Sequence, residues 1–400
     1  MSTRLDALIA ERIRDSGPLT TAAFMELALY HPTHGYYTRA PRRTGRAGDF
    51  YTSVDVGPQF GALIATQLDE MRRRVGSPHF ELVEVAAANG QLCRDILDAA
   101  KRRYPELYDS LHVHLVEASP AARQLHGDTL APHDTKLVAS TDTMHSGVTG
   151  VILANELLDA MPTHAVTMTA GGLAEIYVAL DGGRLVERLG PPSTEALALY
   201  LDRLDLELAP GWRGEICLSA MDWVKTAAER LTQGFMVLID YGHAADRLYG
   251  GHHATGTLTT FTSHMVDAAA QAGEQPSGPA WLHEPGDRDI TAHVDITSVC
   301  LTASEAGLDL LGVVDQSRFL LGLGAVDDPA THLDPREQLR HRLALKTLLV
   351  PGGLGSTHQV MVFGRGVGTP SLAGLSFGKT RPEEPAGRAR TAKPREPGLA

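Results

Sequence analysis

Short, almost wholly apolar runs alternate along the chain with stretches whose apolar residues recur every three or four positions. The run "FELVEVA" from Phe80 has the continuous, β-branched character of a strand buried on both faces. Behind it, "QLCRDILDAAKRR" places Leu92, Ile96 and Ala99 along one side of a helix. The next strand is "LHVHLVEA" from Leu111, followed by Ser119-Pro120, an N-cap with proline at the first helical position. "GVILAN", ending at Asn155, and "GFMVLIDYG", with Asp240 at the end of its apolar run, repeat the theme. Strand, helix, strand in series predicts an α/β fold: a mostly parallel sheet with helices on both faces.

Two stretches break the rhythm. Residues 1–78 precede the first sheet strand and contain the helical pattern "LTTAAFMELALYHP", which predicts an N-terminal helical extension. Residues 163–215 alternate as a hairpin, "HAVTMTAGGLAEIYVALDGGRLVERL", and continue into a helix, "TEALALYLDRLDLEL"; they read as an inserted α+β region. Inserts at the carboxyl edge of such a sheet are where substrate selection resides. The main domain, 79–366, closes with the strand-like "HQVMVFGRG", and residues 367–400, rich in Pro, Gly and Arg without apolar periodicity, read as a disordered tail.

Composition narrows the class. The 400 residues are 43% hydrophobic, enough for a globular chain with a large buried core. No run is long and apolar enough to cross a bilayer, and the opening "MSTRLDALIAERIRDSG" is a charged amphipathic helix rather than a signal sequence, so a soluble, cytoplasmic protein is expected. A net charge of −12 argues against nucleic-acid binding. From Gly366 on, six bases and three acids give +3, which leaves −15 for the rest of the chain. That acidic body suits a cationic substrate or partner, and equally simple solubility. The three cysteines, Cys93, Cys217 and Cys300, form no CxxC pair, so neither a disulfide framework nor a cysteine metal site is indicated. Among the 18 histidines, "GHHATG" around His252 and His253 lacks HExxH spacing and a carboxylate cluster, and no metal site is expected there.

Ligands of open α/β sheets bind beyond the carboxyl ends of the strands, where acids stand out here. Glu84 precedes the loop Ala86–Gly90, whose small residues let main-chain N–H groups approach a ligand ahead of a helix N-terminus. Glu117 ends the next strand, where a carboxylate can accept both hydroxyls of an adenosine ribose. The loop departs from GxGxxG, with Ala86, Ala88 and Gln91 at the glycine positions; this weakens a dinucleotide reading, and taken alone the loop is equally an ordinary strand-to-helix turn. Asn155, Glu156 and Asp159 follow a buried strand directly. They could hold a guanidinium or amine and accept its proton, whereas capping of a short helix by Asn155 leaves Asp159 unexplained.

The blocks "HPTHGYYTR", "GDFYTSVDVGPQFG", "ELVEVAAANGQL", "LVEASPAARQLH", "GVILANELLDAMP", "LIDYGH", "EPGDRDITAHVDIT" and "DQSRFLLGLG" occur in this order over residues 17–366. In that series the chain resembles the MidA-like S-adenosylmethionine (SAM)-dependent methyltransferases, whose mitochondrial member is an arginine methyltransferase needed for respiratory complex I assembly. The resemblance implies a class I, Rossmann-like methyltransferase fold with SAM across Ala86, Ala88 and Gly90 and its ribose on Glu117. It implies further that Gly48, Asp49 and Thr52 fold over the cofactor, that Asp49 and Glu84 support it, and that Asn155, Glu156 and Asp159 face the acceptor. His243 and His293 are candidate second bases. The family loop usually reads G-x-G-x-G; this chain keeps only Gly90, and Val54-Asp55 replaces the usual Pro-Glu. Alanine is tolerated in the loop wherever φ stays negative, and Asn89 can take a left-handed conformation. The implied activity is methyl transfer to a nitrogen acceptor, a protein or peptide arginine. The alternatives are a small-molecule acceptor, a non-catalytic assembly or binding protein with a weakened SAM site, and, third, an NAD-dependent oxidoreductase.

Overall fold

The computed structural model describes residues 4–38, 52–262, 265–266, 278–327, 334–350 and 354–377. Helices α1 (Arg4–Ser16) and α2 (Thr21–Tyr30) flank the short strand β1 (Leu19–Thr20), and α3 (Gln59–Val75) leads into the first long apolar run. That run is β2 (Phe80–Val85), followed by α4 (Gln91–Arg103), α5 (Pro105–Ser110), β3 (Leu111–Val116), α6 (Pro120–Thr129), β4 (Leu137–Thr141) and β5 (Val148–Asn155). Four strands and a helix come next: β6 (His164–Thr169), β7 (Gly172–Asp181), β8 (Arg184–Gly190), α7 (Ala196–Leu204) and β9 (Arg213–Ile216). The chain then returns to the main sheet through α8 (Leu218–Arg230), β10 (Leu231–His243) and α9 (Ala245–Leu248). Short strands β11 (Thr259–Thr262), β12 (Met265–Val266), β13 (Asp289–Thr291) and β14 (Val294–Asp295) precede α10 (Ile296–Glu305) and β15 (Asp309–Asp315). Helices α11 (Gln316–Gly322), α12 (Pro335–Leu349) and α13 (Leu354–Thr357) and strand β16 (His358–Arg365) complete it.

The central sheet runs β15-β16-β10-β5-β2-β3-β4. Strands β4, β3, β2, β5 and β10 are parallel, and β16 lies antiparallel between β10 and β15. Because successive strand side chains point to opposite faces, Phe80 and Leu82 join one core with Phe60 and Ile64 of α3 and Ile96 of α4, while Val83 and Val85 join a second with Val224 of α8 and Val299 of α10. Burial on both faces is why these strands are continuously apolar. Ser119 caps α6 by accepting from the Ala122 N–H at 3.4 Å, with Pro120 in its first turn.

The N-terminal segment and the insertion are joined. β1 pairs antiparallel with β7, Leu19 opposite Val178, giving a sheet of order β1-β7-β6-β9 with β8 on the other side of β7. Thr21 Oγ1 donates to the carbonyl of Ile176 at 2.9 Å. Phe24 of α2 meets Trp281 edge-on at 5.5 Å in the same apolar cluster.

One expectation is corrected at the carboxyl-terminal end. Residues 367–377, which composition assigns to a disordered tail, pack onto the main domain. Leu372 and Leu375 are buried in its first core, and the N–H groups of Ala373 and Gly374 donate to Glu70 Oε2 (2.9 Å) and Gln67 Oε1 (3.1 Å) on α3. Two leucines spaced by a glycine turn are too few to show periodicity, yet enough to dock a segment.

Candidate active site

The carboxyl edge of β2 and β3 carries the first half of the site. Gly90 opens α4 at φ 81°, a left-handed conformation that a glycine adopts without penalty. Ala86 (φ 57°) and Ala88 (φ 47°) are left-handed as well, so the condition under which alanine is tolerated there, a negative φ, is not met. The loop has preserved the backbone shape of glycines while carrying alanines, at a cost on the order of 1–2 kcal/mol per residue. Its hydrogen bonds show what holds that shape: Ala87 N–H donates to Val116 O (3.2 Å), Ala88 N–H to Glu117 Oε2 (2.9 Å) and Gly90 N–H to Ala87 O (2.7 Å). The second Glu117 oxygen accepts from Ser119 N–H at 2.8 Å. His126, 1% exposed, contacts the Ala88 carbonyl through Nε2 at 2.8 Å and Ser140 Oγ through Nδ1 at 2.9 Å. A carbonyl oxygen only accepts, so Nε2 carries the proton; burial lowers the pKa of the ring and keeps it neutral.

Glu84 is buried below this loop. Its Oε2 has no hydrogen-bond partner among the described residues. Burial pushes its carboxyl up to about 8, against the pull of the Cys93 backbone N–H, with Asp95 and Glu117 adding to the rise. A buried carboxyl so placed ionises readily only beside a positive charge.

The second half lies beyond β5 and β10. Asn155 ends β5, and Glu156 turns the chain at φ 52°, a left-handed value held by its N–H bond to Ile239 O at 2.8 Å. Asp240, 1% exposed on β10, anchors the turn: its Oδ2 accepts from the N–H groups of Leu157 (3.1 Å) and Leu158 (2.7 Å). Asp159 is buried with Oδ1 unpartnered among the described residues, and its carboxyl is raised well above the usual range by burial and by Asp240, Glu156 and Asp289. Tyr37 donates to both Asp289 oxygens, at 2.9 and 3.0 Å, and stacks on Tyr30 at 5.5 Å between ring centroids. Tyr30 in turn donates to Ala160 O at 3.0 Å. His358 Nε2 sits 3.5 Å from Glu156 Oε1; burial opposes a charge on the ring, but the Glu156 carboxylate outweighs it and raises the pKa. The result is a buried acidic cluster backed by two stacked tyrosines. It can accept hydrogen bonds from a planar cation and take up its proton.

The sequence-predicted residues Asn155, Glu156, Asp159, Glu84, Ala86, Ala88, Gly90 and Glu117 are thus gathered at one sheet edge. Thr52 bonds to Asp55 Oδ2 through N–H and Oγ1, both at 3.0 Å, and neighbouring Ser53 is buried against Gln316 Nε2 at 2.9 Å. Gly48 and Asp49 lie outside the described residues. Sequence patterning assigns no role to His126, Asp240, Asp289, Tyr37 or His358; Asp240 follows an apolar run as Glu84 does, a signal that could have found it. His243 and His293 group with His253, at ring centroid separations of 5.0 Å (His243–His253), 5.3 Å (His243–His293) and 5.7 Å (His253–His293), and His293 lines a small cavity with Asp159. His243 and His293 are pushed down to about 4, by burial first and by neighbouring rings.

Comparison with known proteins bears on this site. The family described as "Putative S-adenosyl-L-methionine-dependent methyltransferase" matches residues 63–314. A zebrafish (Danio rerio) protein named "Protein arginine methyltransferase NDUFAF7, mitochondrial" is 26% identical over 345 residues, 79% of this chain and 75% of its own. The Drosophila melanogaster homolog of that name is 28% identical over 393 residues, 89% and 84% of the two chains. A crystal structure from Burkholderia thailandensis, bound to S-adenosyl-homocysteine, superposes with a TM-score of 0.83 at 27% identity, covering 94% of this chain and 95% of that one. The relatives named as mitochondrial overturn the cytoplasmic placement expected above. Lack of a secretory pattern speaks only to export and does not choose among compartments inside a cell.

Proposed function

The chain belongs to this family of SAM-dependent methyltransferases, and on that premise we propose that it methylates a guanidinium nitrogen of a protein or peptide arginine. The observation that carries the acceptor assignment is the acid cluster itself: Glu156, Asp159, Asp240 and Asp289 converge, with Tyr30 and Tyr37 stacked beside them. A buried group of carboxylates is costly unless a cation meets it. Guanidinium is the cation whose flat fork matches carboxylate oxygens in pairs and stacks on aromatic faces.

The residues present fit SAM. Glu84 offers a buried carboxyl with one unpartnered oxygen to the ammonium of the methionine moiety, whose positive charge would favour its ionised form. Each Glu117 oxygen accepts one main-chain N–H and keeps a further lone pair for a ribose hydroxyl. When bound, the sulfonium supplies a methyl group already activated for transfer, so the chain needs no covalent nucleophile. Glu156 and Asp159 orient the guanidinium and lower its freedom to turn away, and Asp159 takes the proton released as the N–C bond forms. Asp240 acts as a positioning residue, fixing the Leu157–Leu158 turn between them. Tyr37 does the same for Asp289.

Radiolabelled SAM incubated with cell lysate and this protein tests the reading. Label recovered as methylarginine after acid hydrolysis of the protein fraction supports it. Label confined to small molecules, with SAM binding intact, would replace the arginine acceptor by a small-molecule one.

A further inference from the structure

We propose that His243, His253 and His293 form a zinc site beside the acid cluster, binding one Zn²⁺ through three imidazoles. The three come from separate segments: the end of β10, the turn after α9, and the β13–β14 connection. One nitrogen from each lies within 4.8 Å of the others. Zinc bound tetrahedrally at about 2.0–2.1 Å separates its nitrogen ligands by roughly 3.4 Å, so closure takes ring rotations on the order of an ångström.

Two observations point to a ligand rather than to chance packing. His293 Nδ1 is buried with no hydrogen-bond partner among the described residues, a loss that a metal bond would remove. The surrounding backbone is also braced. His293 N–H donates to Thr257 Oγ1 at 3.0 Å; Thr257 donates through N–H and Oγ1 to buried Glu215 Oε2 at 2.7 and 2.9 Å; and Gly256 N–H donates to His253 O at 2.9 Å. Such outer bonds hold ligands in place before an ion arrives. The ligand set holds no carboxylate, so the site disfavours Mg²⁺ or Ca²⁺ and suits an imidazole-seeking ion, whose bonds must outweigh the nearby positive charge of Arg247. Three protein ligands leave a fourth position for water.

The ion would fasten one side of the acid cluster. His293 lies four residues after Asp289, and between them Ala292 N–H donates to the Asp159 carbonyl at 3.0 Å. The zinc assignment stands apart from the identity of the methyl acceptor.

Tag-free full-length protein, stripped with chelator, is titrated with Zn²⁺ by calorimetry and with Co²⁺ by visible absorption. One equivalent of Zn²⁺ and the intense absorption of tetrahedral Co²⁺ are expected. His253→Ala, on a half-buried turn, and His243→Gln each weaken Zn²⁺ binding by at least about 100-fold, while His252→Ala, at the exposed neighbour, does not. Absence of saturable Zn²⁺ uptake by the parent protein overturns the proposal. Undiminished uptake by both folded variants does so as well, placing the ion elsewhere, for example at Glu81, His114 and His145, the other such group among the described residues.

Discussion

His126 donates from Nε2 to the Ala88 carbonyl 2.8 Å away, so helix α6 holds one of the two left-handed alanines in the loop after β2. His126→Leu removes the side-chain partner of that part-buried carbonyl, at a cost of about 0.5–1.5 kcal/mol. SAM affinity should fall roughly tenfold by calorimetry while the far-ultraviolet circular dichroism is kept. Unchanged affinity would mean that the loop keeps its shape without the ring.

The left-handed alanines make a converse forecast. Ala86→Gly and Ala88→Gly relieve a φ penalty of about 1–2 kcal/mol and lose part of it to the greater freedom of glycine in the unfolded chain. Each variant should gain about 0.5–1 kcal/mol, read as a higher urea midpoint. A lower midpoint would show that the alanine methyl groups contribute more by packing than the backbone loses.

Asp159→Asn keeps the volume of the side chain and removes the carboxyl proposed to take the proton. Methyl transfer should fall by at least about 100-fold, with the SAM dissociation constant within twofold of the parent value. Retained turnover would take Asp159 out of the chemistry.

Glu84 predicts a pH dependence. An ordinary glutamate titrates near about 4.3, and this one sits at about 8 in the fold. Between those values the folded chain keeps a proton that the unfolded chain releases, so stability falls as pH rises through that window, by up to about 1.4 kcal/mol per unit from this group. Glu84→Gln should flatten that slope, raising the urea midpoint at pH 8 and changing it little at pH 4. Parallel pH profiles for parent and variant would refute it.

Leu372 and Leu375 are each 1% exposed. Ending the chain at Gly366 removes both, and with them about 1.5–3 kcal/mol per buried leucine, relative to a chain ending at Phe377. Equal thermal midpoints for the two truncations would show the docked segment to be energetically idle.

The central strands were legible because burial on both faces writes an uninterrupted apolar run, and Glu84, Glu117, Asn155, Glu156 and Asp159 were legible because polar groups end those runs. What pattern alone does not carry is convergence between distant segments. Tyr37 and Asp289 are 252 residues apart, and His243 meets His293 across 50 positions with neither HExxH spacing nor a shared helix. Backbone sign was equally hidden: nothing in the letters of "AAANG" shows that two alanines take glycine's conformation, since the loop is held by bonds to Val116, Glu117 and His126 in other segments.

The pairing of β1 with β7 bears on how the molecule is made. Thr21 finds the Ile176 carbonyl 155 residues downstream, so β1 leaves the ribosome well before its partner β7 and docks late. Until β7 has been synthesised, α1, α2 and their apolar faces wait without the sheet that covers them. Chaperone demand should therefore be greatest in the middle of translation, and substitutions in β7 should show their defect as lost yield of soluble protein before they show it in the activity of the molecules that do fold.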